Sequence, residues 1–393
     1  MSAPSQAGAP VVSHSRSSME QARLGTSRPR VAFIVNGSEN SAMAQRAQSF
    51  ADRLLHAVEP VVIYRRGRKG VAAVRMLHQL KRLRPDFCYV FDLGLDGFLS
   101  ALLYGKATGV RFAIDTGDDV VALGRALGRG RLGMFATRAM VHAALRASVA
   151  WIVRGTRHRD LLAAQGFAAE WIPDGVDVQR FAPPNTSRPA PPSSSNPLVI
   201  GMLGSVTWIP KRNFCYGSEL IELVAILSQR LSVPVRGVVV GDGDGLPRLR
   251  RRARELGVED KISFVGRVPY AALPSTLHGW HFALSTQSND AVGNMRTTGK
   301  LPLYLAAGRF VLASEVGEAA RILPKEMVCP YRGEHDAEYP QVLAQRVEEL
   351  LRRGVDVTYR ADSVLLAQTY FEYDRLSTRL ERVLQTLLGR AFP

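Results

Sequence analysis

The densest group of chemically useful side chains lies in residues 289–314, NDAVGNMRTTGKLPLYLAAGRFVLAS. A glycine-bearing loop there leads through a Gly-Lys step into an apolar helix, and it carries Asp290, Gly293, Asn294, Arg296 and Lys300. The first turn of a helix leaves backbone N–H groups unpaired and adds partial positive charge. A phosphate or sugar hydroxyl near residues 297–300 would therefore be stabilised. The stretch by itself also fits an ordinary helix start with a lysine on its solvent side.

A second group places three carboxylates within five residues, directly after an apolar run. Asp115, Asp118 and Asp119 share this turn with one glycine. Clustered acids occur in metal sites, but without a histidine they are more typical of a helix cap and turn, so no metal site is predicted. Our functional interpretation is narrower: we expect Asp118 to accept a hydrogen bond from a substrate hydroxyl.

The elements that must position these groups alternate between apolar runs and amphipathic segments. The apolar runs predict strands at 31–35, 61–64, 87–91, 111–115, 148–153, 198–203, 235–240 and 262–265. Helical spacing lies between them, as at 42–54, 71–83, 217–231 and 246–256. Strands that are apolar throughout and separated by helices indicate parallel sheets covered on both faces. Such sheets bind ligands at the carboxyl ends of their strands.

The length of the chain and one stiff segment predict two such domains. At about 150 residues per domain, 393 residues suffice for two or three. Residues 181–197 are rich in proline and serine and predict a linker. We therefore expect an α/β protein with a disordered tail (1–28), Rossmann-like doubly wound domains (29–180 and 198–360) that face a central cleft, and a closing helix in 361–393.

The charge of the chain is strongly positive, at +16, which suggests phosphorylated small molecules, anionic lipid headgroups or nucleic acid as partners. Nucleic acid is the weakest of these because no aromatic-interleaved basic motif is present. Basic runs at 65–69, 81–84, 125–131 and 248–254 read singly as solvated helix faces, but together they make an anionic membrane surface plausible. No window has the roughly 18 apolar residues of a membrane span, so we expect a soluble or peripheral protein.

The cysteines and the first residues indicate a compartment. Cys88, Cys215 and Cys329 are too few and too scattered for a disulfide framework or a zinc site. Residues 1–28 lack the apolar core of a secretory signal. We therefore expect a cytoplasmic protein, with peripheral contact at the inner face of the membrane.

Two glycine-containing segments resemble nucleotide-binding motifs only loosely. Residues 241–245 have the spacing GxGxG rather than GxGxxG, and no acid follows at the required distance. Gly204 and Lys211 do not form the GxxxxGK[ST] pattern of a phosphate-binding loop. Hydride chemistry with a dinucleotide is therefore excluded.

One segment carries a family resemblance. Residues 172–183, IPDGVDVQRFAP, resemble the interdomain segment IPNGVDxxxFxP of the family-4 retaining glycosyltransferases, which have the GT-B architecture. The similarity continues in register through Gly201-Met-Leu-Gly204, Lys211, 239–243, 264–266, Ser285 and 306–308, and so covers residues 172–325. The resemblance implies a closing helix that crosses back to the first domain, and apolar spacing predicts that helix at 361–388.

The resemblance also implies roles for individual residues. It places the donor in the carboxy-terminal domain, where Lys211 and Arg212 would hold the diphosphate and stabilise the leaving group. Gly204 belongs to the same set of donor-domain motifs. Gly266 and Arg267 would border the base, and the loop from Asp290 to Arg296, with Gly293 and Asn294, would meet the sugar. Lys300 matches the lysine of the family pattern KxxEYxAxG.

The same pattern contains one departure. Its glutamate, which would bind the ribose hydroxyls, is Leu303 here, and the more amino-terminal family glutamate has at best Asp290 as its counterpart. We therefore hold two hypotheses. The first is a retaining, metal-independent glycosyltransferase that needs no cofactor and moves a sugar from a UDP- or GDP-linked donor to a glycan, lipid-linked or small-molecule acceptor. The second is a catalytically silent relative that binds a glycan or a protein.

Overall fold

The computed structural model describes residues 28–210, 213–389 and 392. Nearly all of the predicted disordered tail (1–28), and both Lys211 and Arg212, lie outside these residues. The amino-terminal half alternates strands with helices. Its elements are Arg30–Val35 (β1), Ala42–Arg53 (α1), Glu59–Tyr64 (β2), Val71–Leu83 (α2), Phe87–Phe91 (β3), Leu95–Thr108 (α3), Phe112–Thr116 (β4), Val120–Ala126 (α4), Arg131–Ala147 (α5), Ala150–Val153 (β5), Thr156–Ala164 (α6), Ala169–Trp171 (β6) and Val178–Phe181 (α7).

The carboxy-terminal half repeats this rhythm. Its elements are Leu198–Leu203 (β7), Trp208–Ile209 (β8), Phe214–Cys215 (β9), Ser218–Arg230 (α8), Val235–Val240 (β10), Leu246–Glu255 (α9), Ile262–Gly266 (β11), Leu273–His278 (α10), Phe282–Ser285 (β12), Lys300–Ala306 (α11), Phe310–Ser314 (β13), Gly317–Ile322 (α12), Val328–Cys329 (β14), Tyr339–Arg352 (α13), Ala361–Tyr370 (α14) and Tyr373–Leu388 (α15).

Each half builds one six-stranded parallel sheet. The orders are β2-β1-β3-β4-β5-β6 and β11-β10-β7-β12-β13-β14. Strands β3, β4 and β13 are buried along their whole length, as apolar runs covered by helices on both faces should be. The strand order reverses beside β1 in the first sheet and beside β7 in the second, and parallel sheets of this kind bind ligands at such points. The predicted fold class, two facing Rossmann-like domains, is confirmed.

The end of the chain returns to the first domain, as predicted, but not as one helix. A single helix at 361–388 was expected, whereas the structure ends α14 at Tyr370 and begins α15 at Tyr373. The backbone between them pairs with Val176 instead: Val176 N–H donates to the Phe371 carbonyl at 2.8 Å, and Tyr373 N–H donates to the Val176 carbonyl at 3.1 Å. Periodicity could not reveal this break because Phe371 is fully buried and keeps the apolar spacing.

Helix α15 then packs on α1 of the first domain. Tyr373 meets the ring of Phe50 edge-on at 5.6 Å, and the Arg53 guanidinium donates to Asp374 at 2.6 Å. Leu376 and Leu380 enter the core on that face of the first sheet. Among the helices of the described residues, none combines the length and the apolar composition that crossing a membrane requires.

Candidate active site in the interdomain cleft

A cavity of about 650 Å³ lies between the carboxyl ends of the two sheets. This volume falls within the range of small-molecule sites. The first domain lines it with Met43, Arg46, Gly117, Asp118, Leu123, Arg154 and Asp174, and the second with Gly204, Tyr216, Glu219, Thr286, Asp290, Arg296, Lys300 and Leu303. The ligand crevice expected at the strand ends is therefore present, and both domains contribute side chains to it.

The wall from the first domain is a network of buried charges around Asp115. Its Oδ2 atom accepts hydrogen bonds from Arg46 Nε at 3.0 Å and from the Tyr89 hydroxyl at 2.8 Å. Its Oδ1 atom lies 3.3 Å from Arg154 Nη2. The carboxylate is fully buried, and the side chains of Arg46 and Arg154 are 1% and 7% exposed. Burial by itself would lower the pKa of Arg46, but Asp115, Asp174 and Tyr89 together outweigh that effect, and the pKa of Arg46 is raised.

The same two arginines fix the interdomain segment. Arg46 donates to the carbonyls of Ile172 and Pro173 at 2.8 and 2.5 Å. Arg154 Nε lies 3.4 Å from Asp174 Oδ1. The segment that carries the family resemblance is thus held against the strand ends of the first domain.

The wall from the second domain is charged but incompletely paired. Glu219, in the first turn of α8, is 4% exposed, and its Oε1 atom has no hydrogen-bond partner among the described residues. Burial raises the pKa of Glu219 to about 7, although Lys300 opposes the shift. Burial lowers the pKa of Lys300 to about 8; Glu219 raises it and Arg296 lowers it further. This wall has groups that an incoming ligand could pair.

Leu303 lies on the same wall, one turn beyond Lys300. It is 7% exposed and presents an apolar side chain to the cavity. The neighbouring Tyr304 faces inward, and its hydroxyl accepts a hydrogen bond from the backbone N–H of Leu203 at 2.6 Å. At the position where the family has its glutamate, this cavity therefore offers no acceptor for a ribose hydroxyl.

The residues predicted for the site fall into three groups. Gly204, Asp290, Arg296, Lys300 and Asp118 line the cavity. Gly266, Arg267, Gly293 and Asn294 lie outside its lining, and the placement of Lys211 and Arg212 is not described. The predictions for the last six residues therefore remain predictions from resemblance.

Residues 289–295 form a closed turn, which explains why two of its predicted residues do not reach the cavity. Asp290 Oδ1 accepts from the backbone N–H groups of Val292 and Gly293 at 2.9 and 2.8 Å. The Asn294 amide donates to Asn289 Oδ1 at 2.9 Å. A side chain at Gly293 would meet the Ser288 carbonyl at 1.8 Å, so glycine is required by the close approach of the backbone. The turn supports Arg296, which follows it.

Arg296 and Asp118, predicted for opposite substrates, contact each other across the cleft. Arg296 Nη1 lies 2.7 Å from Asp118 Oδ1, and the two side chains are 31% and 29% exposed. Nearby, the Thr297 hydroxyl donates to the Arg154 carbonyl at 2.7 Å, and Glu318 accepts from Thr156 N–H at 2.6 Å. The domains are therefore joined beside the cavity by polar contacts.

Sequence reasoning missed Arg46, Arg154 and Glu219. Arg154 directly follows β5, so the rule that ligands meet strand ends could have found it. Glu219 lies in the first turn of the helix that follows Gly217, where an acidic residue is a recognisable signal. Arg46 gave no signal, because its buried position on α1 is one where helical spacing predicts an apolar residue.

Comparison with known proteins agrees with this geometry. Residues 197–353 match the family described as Glycosyl transferases group 1. One component of phosphatidylinositol N-acetylglucosaminyltransferase from Arabidopsis thaliana is 26% identical over 159 residues, which are 40% of this chain and 32% of that protein. The match thus spans about a third of the length of that relative.

Solved structures cover most of the chain. Sucrose-phosphate synthase from Thermosynechococcus elongatus aligns with a TM-score of 0.72 at 13% identity, over 92% of this chain and all of that one. HepE from Anabaena, in complex with UDP-glucose, aligns with a TM-score of 0.69 at 12% identity, over 91% of this chain and all of that one. Residues 197–353 thus match the group 1 glycosyl transferases and the chain has the GT-B fold, which confirms the predicted resemblance.

Proposed function

We propose that this GT-B chain, whose residues 197–353 match the group 1 glycosyl transferases, is a retaining glycosyltransferase. The donor is a UDP- or GDP-linked sugar held in the second domain, and the acceptor is a hydroxyl held by the first. The observation that carries the proposal is the division of the cavity: one wall has incompletely paired charges, and the other is a rigid network that ends in Asp118 and Asp174. The UDP-glucose bound by HepE supports a nucleotide sugar as donor.

The second domain is suited to hold a diphosphate. Lys300 and Arg296 both line the cavity, and α8 directs its first turn toward it through Gly217 and Glu219. Cations and helix N-terminal N–H groups stabilise phosphate oxygens, most strongly as negative charge grows on the leaving group. By resemblance, Lys211 and Arg212 add to the same field. Because these cations supply positive charge at the diphosphate, we infer that transfer is independent of a metal ion.

We infer that Glu219 takes over the ribose contact that Leu303 cannot make. Its Oε1 atom, which no described residue pairs, and the apolar side chain of Leu303 line one cavity, but they come from different helices. An ionised carboxylate is a strong acceptor for a ribose hydroxyl, and such a bond contributes about 1.5–3 kcal/mol. When a donor diphosphate binds beside Lys300, the Glu219 carboxylate is still able to accept a hydrogen bond from the ribose.

The chemistry needs no carboxylate nucleophile. A retaining transfer of this class proceeds on the front face of the donor: the bond from the anomeric carbon to the diphosphate breaks, the acceptor oxygen attacks the same face, and its proton passes to the leaving phosphate. Lys300 and Arg296 stabilise that phosphate. Asp118 accepts the hydrogen bond of the acceptor hydroxyl once Arg296 has turned to the diphosphate.

The reaction is tested by turnover of a panel of UDP- and GDP-linked sugars, with and without EDTA. We expect one donor to be hydrolysed or transferred, with no loss in EDTA. Lys211→Ala and Lys300→Ala should each lower kcat/KM about a hundredfold. If the wild type turns over a donor and Lys211→Ala leaves the rate unchanged, the role of Lys211 is wrong.

The role of Glu219 is tested by comparing UDP with 2′-deoxy-UDP and 3′-deoxy-UDP in calorimetry. The wild type should bind at least one deoxy compound about tenfold more weakly than UDP. Glu219→Ala should bind UDP as weakly as that deoxy compound and lose the discrimination. Adding Leu303→Glu to Glu219→Ala should restore it. If Glu219→Ala keeps the wild-type discrimination, another group binds the ribose.

A second candidate function is a silent scaffold that binds a glycan or a protein. Leu303 favours it, and so does the Arg296–Asp118 contact, which occupies two of the expected substrate groups. Calorimetry with UDP and GDP separates the two functions, because a scaffold need not bind either nucleotide. Binding of neither would support the scaffold.

The acceptor class and the place of action are part of the same proposal. The net charge of +16 and the excess of arginine support a protein that works in the cytoplasm at the inner face of a membrane. An acceptor attached to a lipid would be available there. The acceptor assay should therefore include glycans, small molecules and lipid-linked sugars.

A further inference from the structure

Helix α5 exposes large apolar side chains on its solvent side. Leu132 is 87% exposed and Phe135 is 73% exposed, and they lie three residues apart on one face. Leu127, just before the helix, is 55% exposed. The opposite face of α5 is buried through Met134 and Ala144. The helix is therefore anchored to the domain on one side and apolar toward solvent on the other. We call the outward side, with Leu127, the α5 face.

The segment that carries the α5 face is basic and contains no acidic residue of its own. Residues 120–147 contain five arginines and no aspartate or glutamate. Four of the arginines flank the exposed apolar residues: Arg125, Arg129, Arg131 and Arg138. Within the described part of the chain, no ion pair involves any of the four, and Arg129 donates instead to the Thr137 hydroxyl at 2.9 Å. Arg125 also lines a small pocket with Asp290 and Glu334, whereas the charges of Arg129, Arg131 and Arg138 are available to an external anion.

Another basic run of the chain is different. In residues 248–254, Arg252 pairs with Glu222 at 2.9 Å and Arg254 pairs with Glu259 at 3.1 Å. Arg248 lies over the ring of Trp208 at 3.8 Å. These arginines are engaged within the fold. A high local positive charge therefore does not by itself distinguish the α5 face. What distinguishes it is that its arginines form no ion pairs with described residues and lie beside exposed apolar side chains.

The α5 face also adjoins the cleft. Leu127 contributes both to the face and to the lining of the cavity, and Leu123 of α4 lines the cavity just before it. Helix α5 follows β4 and precedes the parallel strand β5, so its first turn lies at the carboxyl edge of the sheet, where the cavity opens. The same short segment therefore borders the acceptor half of the site.

We propose that the α5 face docks on an anionic lipid bilayer, with Leu132 and Phe135 inserted among the headgroups and the flanking arginines paired with lipid phosphates. Apolar side chains bordered by arginines match the boundary between headgroups and acyl chains. An anionic nucleic acid would match the arginines but not the exposed Leu and Phe. The cleft would then open at the lipid surface. This docking does not depend on the transfer reaction, because it requires no donor.

The test is co-sedimentation with vesicles of phosphatidylcholine alone and of phosphatidylcholine mixed with phosphatidylglycerol. Wild type should bind the mixed vesicles, more weakly as salt rises, and bind neutral vesicles poorly. Arg131→Ala/Arg138→Ala should weaken binding about 25-fold, at about fivefold for each arginine. Leu132→Ser/Phe135→Ser should weaken it about tenfold and leave the salt dependence unchanged.

Matched controls come from other surfaces of the chain. Leu365→Ser removes a leucine that is 62% exposed on α14, and Lys81→Ala/Arg82→Ala removes two charges at the end of α2. Both controls should bind mixed vesicles like the wild type, and all variants should melt at the wild-type temperature. The proposal is overturned if the wild type does not bind mixed vesicles, or if the controls weaken binding as much as the α5 variants. Sedimentation velocity tests whether a second copy of the chain covers the α5 face instead. If the wild type is a dimer that Leu132→Ser/Phe135→Ser dissociates, and if it does not bind vesicles, the face is a dimer interface.

Discussion

Both walls of the cleft contain buried charged side chains, but the charges are paired in one wall and incompletely paired in the other. In the first domain, the Asp115 carboxylate is paired with Arg46 and Arg154 and accepts a hydrogen bond from the Tyr89 hydroxyl, so its charge is compensated within the fold. In the second, burial moves the pKa values of Glu219 and Lys300 toward neutrality, and Glu219 Oε1 finds no hydrogen-bond partner in the described part of the chain. We call the first wall, whose charges are already paired, the platform. We call the second, whose charged groups a ligand could still pair, the open wall. Substitutions in the two should have different effects.

The largest expected effect is on the platform. Asp115→Asn removes the fully buried carboxylate between two buried guanidinium groups and leaves them with the more exposed carboxylates of Asp92 and Asp174. Breaking a buried ion pair in this way costs about 3–5 kcal/mol. We expect the free energy of unfolding, measured by urea denaturation, to fall by that amount. Asp160→Asn serves as the control, because Asp160 is 64% exposed and pairs with the adjacent Arg159 at the surface. Its effect should stay below about 0.5 kcal/mol.

A small effect of Asp115→Asn would contradict the contrast between the walls. It would mean that water or a rearranged side chain replaces the carboxylate, so that the network is as adaptable as the opposite wall. The pair Arg46→Met/Asp115→Leu distinguishes the two cases, because an apolar pair of similar volume can restore much of the stability of a well-packed ion pair.

The second prediction concerns Lys300, whose pKa is lowered to about 8. A lysine with this pKa is mostly charged at pH 7 and loses its charge as the pH rises through 8. Because the charged form binds the diphosphate, the affinity for UDP or GDP should fall between about pH 7.5 and 9. The expected decrease is up to tenfold per pH unit above the pKa, until the raised pKa of the complex is reached.

Lys300→Arg is the matched variant, since arginine stays charged throughout this range. Its affinity measured by calorimetry should be nearly constant from pH 7 to 9, whereas Lys300→Met should bind about a hundredfold more weakly at pH 7. An unchanged pH dependence in Lys300→Arg would assign the titration to another group, of which Glu219 is the nearest. The signs separate them: Glu219 ionises as the pH rises through about 7 and would strengthen a ribose contact rather than weaken a phosphate contact.

The sequence predicted some features of the two walls and missed others. Strands 87–91, 198–203 and 235–240 were predicted with the observed bounds, because each is a short, mainly apolar run between glycine, proline or charged residues, although 235–240 also contains Arg236 and Gly237. Their parallel arrangement then placed a ligand crevice at the carboxyl ends. Lys300 and Arg296 were found from the loop-to-helix transition. These are local signals, carried within a few residues of each other.

The remainder depends on contacts between distant parts of the chain. Arg46 is buried only because Asp115, 69 residues away, meets it, and helical spacing would place an apolar residue there. Asp118 and Arg296 are 178 residues apart, so neither position predicts their contact. The break at Phe371 exists because Val176 competes for backbone hydrogen bonds. Pairing of buried charges and backbone groups is decided by tertiary structure, which no periodicity records.

The third prediction concerns the seam, the contact between the two domains beside the cavity, where Gly155 of the first domain packs against Met295 of the second. A side chain at Gly155 would meet the Met295 carbonyl of the other domain at 2.2 Å. Gly155→Ala should therefore force the domains apart and destabilise their contact by about 1–3 kcal/mol. We expect a larger radius of gyration in small-angle scattering and weaker nucleotide binding. Gly166→Ala offers a control for the loss of glycine alone, since nothing lies within 4 Å of its side-chain position and its positive φ adds only local strain. An unchanged scattering profile for Gly155→Ala would show that the seam yields without separating the walls.

The smallest effect on stability should come from the Arg296–Asp118 contact, which couples the walls directly. Both side chains are about a third exposed, so a double-mutant cycle with Arg296→Ala and Asp118→Ala should give a coupling of about 0.5–1 kcal/mol. Its effect on binding should be of opposite sign for the two partners. Arg296→Ala removes a phosphate ligand and should weaken UDP or GDP, whereas Asp118→Asn frees the guanidinium and should strengthen nucleotide binding a few-fold while lowering transfer. If both variants lower the affinity for the nucleotide equally, the contact maintains the shape of the cleft instead of occupying groups that would bind substrate. Arg296 would then not be a group that the ligand pairs.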